Sequence, residues 1–122
     1  MKIYVSSPYS GASERERKQN TIKAIDAGLA LWKKGHYPYI PHLTHFVDSR
    51  AKEKGIEMKW EDYIEWDRVW LELCDALLFL SSSNGARIEL DTAKKLGKTI
   101  YYNIDDVPVI MRNKGVVCSV QQ

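Results

Sequence analysis

The sequence predicts a single α/β domain in which parallel strands form a sheet with helices on both faces. Short apolar runs alternate with longer helical patterns along the chain, and turn-forming residues follow each run. The 122 residues, 44% hydrophobic and 28% charged, are enough for one buried core. Right-handed crossovers place helices on both faces of such a sheet. We therefore expect one domain over residues 1–122, with about four or five strands.

Four apolar runs are predicted as the strands. The first is Lys2–Val5, which is followed by a serine and proline turn. Tyr37–Pro41 is interrupted by prolines, so we expect it at an edge of the sheet. Ala76–Leu80 has the composition of a buried strand, and Thr99–Tyr102 is the last clear one. Beyond Asp105 the pattern is compatible with a strand, an arm or a disordered tail.

Three helices are predicted between the strands. The first begins at a capping-box pattern, Ser13 with Glu16, and ends at Gly35. Residues 42–58 are predicted as a surface loop with a short helix. The other two helices follow an apolar period of about 3.6 residues and span Trp60–Cys74 and Ala86–Leu96.

Composition and charge exclude several classes of partner. The 18 basic and 16 acidic residues leave a net charge of +2, which does not indicate a nucleic-acid partner. Two cysteines, Cys74 and Cys118, form no disulfide framework. The chain has no signal-peptide core and no apolar run near the ~20 residues of a membrane span. We expect a cytoplasmic protein with no membrane partner.

Two carboxylates break the amphipathic pattern of the helices. Asp67 lies within the apolar stripe of its helix, between Ile64 and Leu71. Glu89 lies beside Leu90 in the apolar arc and first turn of the next helix. An ionised carboxylate on a buried face is costly unless it is paired. Two carboxylates with different environments are also how glycosyl-transfer chemistry is arranged, so the pair indicates an active site.

Structural explanations for the same two residues remain open. Asp67 could cap a loop or pair with Arg15 or Arg17, and a helix N-terminus would favour the charge of Glu89. In parallel sheets, however, ligands bind at the carboxyl ends of the strands. The segments expected at that edge are Ser6–Gly11, His42–Phe46 and Ser81–Glu89.

Three sequence features follow one another in a recognisable order. They are the strand Ile3-Tyr4-Val5 before a serine- and glycine-containing loop, a helix carrying Asp67, and the motif Ser83-x-Gly85-x-x-x-Glu89-Leu90-x-x-Ala93. Over roughly residues 2–102, this order resembles the nucleoside 2-deoxyribosyltransferase superfamily, which includes nucleoside 5′-monophosphate N-glycosidases. The segment Pro41-His42-Leu43-Thr44-His45-Phe46 is more similar to phage and prokaryotic members of uncharacterised activity.

The resemblance implies a fold, a reaction and an assembly. The fold would be a flavodoxin-like three-layer sandwich, usually in a homodimer or higher homo-oligomer. The reaction would cleave the bond between a nucleobase and C1′ of a ribose or deoxyribose, with no metal or organic cofactor. By resemblance, Glu89 is the nucleophile, Asp67 assists the departing base and Tyr4 orients Glu89.

The expected substrate-binding residues lie in the same three segments. By resemblance, the loop after the first strand and the serine before the catalytic glycine hold the phosphate of a monophosphate. These positions are Ser6, Ser7, Gly11, Ser83 and Gly85. His42 and His45 follow the second strand, and we expect them to contact a phosphate or a base. A metal site on His42, His45 and Asp48 is the alternative, although no convincing further ligand accompanies them.

Other function classes also fit the sequence. The same fold could be a non-catalytic nucleotide-binding module or sensor. An interaction protein is a third interpretation, because Trp60, Trp66 and Trp70 lie on one helix, where packing or a dimer interface is the default role. For Tyr9 and Trp60, base stacking is a further interpretation.

Overall fold

The computed structural model describes residues 1–112, which contain a four-stranded, fully parallel sheet. The strand order is β2-β1-β3-β4, with β1 paired to both β2 and β3. This arrangement is an α/β flavodoxin-like fold, and the predicted fold class and the edge position of β2 are confirmed. The strands are β1 Lys2–Ser6, β2 Tyr37–Tyr39, β3 Ala76–Phe79 and β4 Thr99–Tyr101.

Four α-helices connect and flank these strands. They are α1 Glu14–Lys33, α2 Thr44–Glu53, α3 Trp60–Leu73 and α4 Asn84–Lys95. Two short 3₁₀ turns, Pro41–Leu43 and Ile104–Asp106, complete the described elements. Within residues 1–112, no helix has the length and apolar character needed to cross a membrane.

The predicted start and end of α1 are confirmed, with one difference at the start. The Ser13 side chain accepts a hydrogen bond from the Glu16 amide at 3.1 Å. The Glu16 carboxylate accepts from the amide of Ala12 rather than that of Ser13, so the capping box is only half formed. Gly35 has a φ of +98° and ends the helix as expected.

Alternate residues of β1 face two different core layers. Ile3 and Val5 pack with Leu31 and other residues on the α1 side of the sheet. Tyr4 packs on the opposite side, in the core that Leu71 and other residues of α3 and α4 form. Successive strand side chains point to opposite faces, so this register places Tyr4, and two residues later Ser6, toward α4.

Within residues 42–58, predicted as a surface loop with a short helix, the structure has the ten-residue helix α2 followed by a loop, so the short helix is confirmed. Its apolar period is weak: Ala51 is its one buried residue, while Phe46 is 62% exposed. A helix that presents polar side chains to a cavity lacks the continuous apolar stripe on which helix prediction depends. The three tryptophans of α3 are also partly exposed, at 58% for Trp60, 41% for Trp66 and 48% for Trp70.

After β4 the chain returns along the end of α1 as an arm, which we call the strap (residues 104–112). The Lys34 ammonium donates to the carbonyls of Ile104 at 2.8 Å and Val107 at 2.9 Å. The Arg112 guanidinium lies 3.5 Å from the centre of the Trp32 ring. Of the three predicted forms of the tail, an arm is therefore the one observed up to residue 112. Cys118 lies outside the described residues.

Two glycines test how much the strap stabilises the fold. A Cβ on Gly35 would lie 1.8 Å from the carbonyl oxygen of Ile110 in the strap, whereas a Cβ on Gly97 (φ +73°) would meet nothing within 4 Å. Both substitutions by alanine carry a positive-φ penalty of about 1–2 kcal/mol. We expect Gly35→Ala to lose at least about 1 kcal/mol more than Gly97→Ala, because it also displaces the strap.

The free energy of unfolding in urea measures this difference. Gly97→Ala is the matched control, since it has the same kind of backbone strain at a helix end but no strap above it. Equal losses in the two variants would mean that the docked strap contributes nothing to stability.

Candidate active site

A cavity of about 710 Å³ opens at the carboxyl ends of the strands, where the sequence predicted a ligand site. Its walls come from the loop after β1, from α2 and α3, and from the beginning of α4. Predicted site residues that line it are Ser7, His42, His45, Asp67, Ser83, Gly85 and Glu89. Tyr4 and Ser6 lie behind Glu89, and Gly11 is not among the lining residues.

Glu89 is held from β1 by two hydroxyl groups. The Tyr4 hydroxyl donates to one carboxylate oxygen, and the Ser6 hydroxyl donates to the other at 2.7 Å. Because Tyr4 and Ser6 are two residues apart on one strand, both side chains point to the α4 side. The helix begins at Asn84, so Glu89 lies in its second turn, not in the first turn as predicted.

Burial controls the protonation of Glu89. Its pKa is raised to about 7, mainly by desolvation, and the nearby charge of Asp67 raises it further. The hydrogen bonds from Tyr4 and Ser6 oppose this rise, because they stabilise the ionised form. Burial also raises the pKa of Tyr4, and the Glu89 charge adds to that effect, so the phenol stays a hydrogen-bond donor.

Asp67 projects from α3 into the same cavity. Its carboxylate accepts a hydrogen bond from the Tyr39 hydroxyl at 3.1 Å. Desolvation raises its pKa to about 7, while the Tyr39 hydrogen bond lowers it. The predicted alternative of a pair with Arg17 is not observed, since Arg17 pairs with Glu14 at 2.9 Å. Within residues 1–112, no ion pair joins Asp67 to Arg15 either.

The beginning of α4 and the loop after β1 form one end of the cavity. Ser83 caps α4, with its side chain accepting from the Ala86 amide at 3.1 Å. Gly85 and Ser7 line the same region. Gly11 lies apart from it: its carbonyl accepts from Arg17 at 3.3 Å, and a Cβ there would press on Glu16. Gly11 therefore does not line the cavity in which the other predicted binding residues lie.

His42 supports the loop after β1 from below the cavity. It is 3% exposed, and its Nε2 lies 3.0 Å from the Ser7 carbonyl and 3.1 Å from the Pro8 carbonyl. Since carbonyl oxygens only accept, we assign the proton to Nε2. Desolvation lowers the pKa of the imidazole, so it is neutral at pH 7.

The wall formed by α2 includes Lys52, which was not predicted as a site residue, and Asp48, which was predicted only as part of the alternative metal site. Asp48 and Lys52 line the cavity on the same helix face as His45, and their charges pair at 3.1 Å. Tyr63 donates to Asp48 at 2.8 Å, and the Tyr9 hydroxyl lies 2.7 Å from His45 Nδ1. His45, Asp48 and Lys52 have the spacing i, i+3, i+7, which places them on one face of a helix and is the feature of the sequence that could have predicted this wall. In the described part of the chain, no group of three residues could hold a metal ion.

Removing the Glu89 charge is expected to stabilise the fold at alkaline pH. Because its pKa is raised from 4.5 to about 7, the folded protein retains a proton that the unfolded chain has lost. Stability therefore falls as pH rises from about 4.5 to 7. We expect Glu89→Gln to be more stable than the parent protein by about 1–3 kcal/mol at pH 8, with the gap closing near pH 4.

Urea unfolding across this pH range checks the expectation. Glu65→Gln on the exposed face of α3 is the control and should give no such pH-dependent gap. A Glu89→Gln variant that is less stable at pH 8 would contradict the view that desolvation dominates this site.

Comparison with known proteins identifies the domain but no activity. Among curated proteins, none matches the chain. A family model described as a domain of unknown function, DUF7768, matches residues 1–103. The matched range contains all four strands and every residue that lines the cavity. The chain belongs to the DUF7768 family.

Proposed function

We propose that the protein cleaves the N-glycosidic bond of a nucleoside or nucleoside 5′-monophosphate, by hydrolysis or by transfer to another base. The observation that carries this proposal is the placement of Asp67 and Glu89 in one cavity, each desolvated and each held by hydroxyl donors. Glycosidases that retain configuration need two such groups, one ionised and one able to give a proton. The resemblance of the sequence to deoxyribosyltransferases supports the same chemistry.

In the first step, ionised Glu89 attacks C1′ of the sugar as the bond to the base breaks. Protonated Asp67 gives its proton to the departing base, so no charge builds up on it. The product is a glycosyl ester of Glu89 and a free base. In the second step a water molecule attacks C1′, the Asp67 carboxylate accepts its proton, and Glu89 leaves as a carboxylate. In transfer, the incoming base replaces this water.

The environments of the two carboxylates support these different roles. Glu89 receives donors on both oxygens, which favours its ionised form, whereas Asp67 receives one donor. The charge of each carboxylate makes ionisation of the other less favourable. The state with one proton on the pair of carboxyl groups is therefore favoured near neutral pH. Asp67, which has one hydroxyl donor where Glu89 has two, is then the group that carries the proton.

The end of the cavity near α4 fits the phosphate of a 5′-monophosphate. The amides at the start of a helix favour an anion, and Ser83 and Gly85 are small enough for close approach. Ser7 adds a hydroxyl from the facing loop. We therefore favour a monophosphate over a free nucleoside. The exposed Trp66 and Trp70 on α3 are consistent with the homodimer that the resemblance implies.

Release of a free base is the direct test of this proposal. We expect the protein to release base from one member of a panel of nucleosides and 5′-monophosphates, both ribo and deoxy, as measured by chromatography. Glu89→Ala should reduce this release at least 10³-fold, because the nucleophile is lost. Asp91→Ala, on the exposed face of the same helix, should retain the parent rate.

A negative result distinguishes the alternatives. Stabilisation of the protein by one nucleotide, without release of base over hours, would reject catalysis in favour of a binding module. Full activity in Glu89→Ala would reject Glu89 as the nucleophile.

The rate of base release should have a bell-shaped dependence on pH. Glu89 must be ionised, so the rate falls as pH drops below its pKa of about 7. Asp67 must be protonated, so the rate falls as pH rises above its pKa of about 7. We expect a narrow maximum near pH 7, with both limbs belonging to the coupled pair. A rate that is flat from pH 5 to 9, measured as kcat/KM, would contradict the acid–nucleophile assignment.

A further inference from the structure

Two tyrosines on neighbouring strands hold the two cavity carboxylates. Tyr4 on β1 and Tyr39 on β2 are register partners in the parallel pairing. Tyr4 donates to Glu89, which comes from α4, and Tyr39 donates to Asp67, which comes from α3. The relative position of the two carboxylates is therefore fixed by the pairing of two strands as well as by the packing of two helices.

The ring of Tyr39 packs against two other aromatic rings. Its centroid lies 5.3 Å from that of Tyr4, at an interplanar angle of 33°. The Trp70 ring stacks on it at 5.9 Å and 16°. Since aromatic pairs at these distances are stabilising, the two rings fix the direction in which the Tyr39 hydroxyl points.

We propose that Tyr39 is a positioning residue, whose hydroxyl holds the Asp67 carboxyl in the orientation that faces the ligand. This inference rests on the proposed function for the catalytic use of Asp67. The geometry offers Asp67 one donor where Glu89 has two, and Tyr39 supplies that donor. The aromatic contact between Tyr39 and Tyr4 links the position of the proton donor to that of the nucleophile.

The effect of Tyr39 on Asp67 has to be separated from that of other charged groups. Titratable side chains approach the same cavity from every neighbouring element. They are Tyr4 on β1, Glu89 on α4, Tyr63 on α3 itself, Tyr9 in the loop after β1, His42 in the 3₁₀ turn before α2, and His45, Asp48 and Lys52 on α2. Within residues 1–112, the side chain that donates a hydrogen bond to Asp67 is none of these but Tyr39 on β2. A variant that removes only its hydroxyl therefore isolates the proposed contact.

Tyr39→Phe removes the hydroxyl and keeps the contacts of the ring with Tyr4 and Trp70. Carbon-13 NMR titration of the Asp67 carboxyl should show an upward pKa shift of about one pH unit, since the ionised form loses its donor. In base release, kcat should fall about ten- to a hundred-fold with little change in KM, and the alkaline limb of the pH profile should move upward. Tyr37→Phe, on the exposed part of the same strand, is the matched control and should change neither quantity.

A double-mutant cycle tests whether Tyr39 acts through Asp67. In an Asp67→Asn background, Tyr39→Phe should cause no further loss of kcat.

A reciprocal measurement follows the ionisation of the Tyr39 phenol. Its pKa is raised in part by Asp67, so Asp67→Asn should lower the pH at which this phenol ionises. Ultraviolet titration, compared between Asp67→Asn and the double variant with Tyr39→Phe, assigns that change to Tyr39.

The outcomes separate this inference from the proposed function. An unchanged Asp67 pKa in Tyr39→Phe overturns the inference, and so does a shifted pKa with full kcat. If the parent protein releases no base, the proposed function fails. In that case the Asp67 titration and the affinity for the best-stabilising nucleotide decide: a pKa shift with weakened binding supports the positioning role, and no change in either overturns it.

Discussion

Desolvation of Glu89 and Asp67 is the constraint on which the arrangement of the cavity depends. Each carboxylate is held away from bulk water, which raises its pKa to about 7, and ion pairing does not compensate either group within residues 1–112. Hydroxyl donors from β1 and β2 compensate for part of this cost. A fold tolerates such desolvated carboxylates, which reduce its stability, only where the surrounding core is well packed. The fully buried Tyr4, inserted between sheet and helices, provides both packing and donor.

In the part of the chain that the structure describes, the two faces of the sheet carry different cores, and only the core on the α3–α4 face adjoins the cavity. On one face, α1 and the strap close an apolar cluster beside the buried His36, and Lys34 holds the strap through two backbone carbonyls. On the other face, the core that includes Tyr4 and Leu90 extends without a break into the residues behind the cavity. We therefore expect substitutions in the core on the α1 face to act mainly on stability, and those on the α3–α4 face to act on stability and on the cavity together.

The fold, and the position of Asp67 and Glu89 at the ligand edge of the sheet, could be predicted from the sequence. Strand and helix periods are local, and a charged residue within an apolar stripe is visible on a helical wheel, as with Asp67 and Glu89. What could not be predicted depends on contacts between distant residues. The Tyr39 contact with Asp67 requires strand register, and Gly11 was assigned by motif position, although its loop turns toward α1. A short helix was predicted within residues 42–58, but its bounds were not, because a cavity-facing helix lacks a continuous apolar stripe.

The α2 wall makes the cavity of this family member chemically asymmetric. Glu89 and Asp67 line it from α4 and α3, while His45 and Lys52 line it with nitrogen-bearing side chains from α2. Asp48 accepts from Lys52 and Tyr63, so the position of the lysine is tied to α3 as well as to α2. Under the proposed function, a ligand that bridges the cavity would contact polar groups of α2 at one end and the two carboxylates at the other. Because the segment Pro41–Phe46, which leads into α2, differs from the deoxyribosyltransferases that the chain resembles, the proposed function would make choice of base specific to this family.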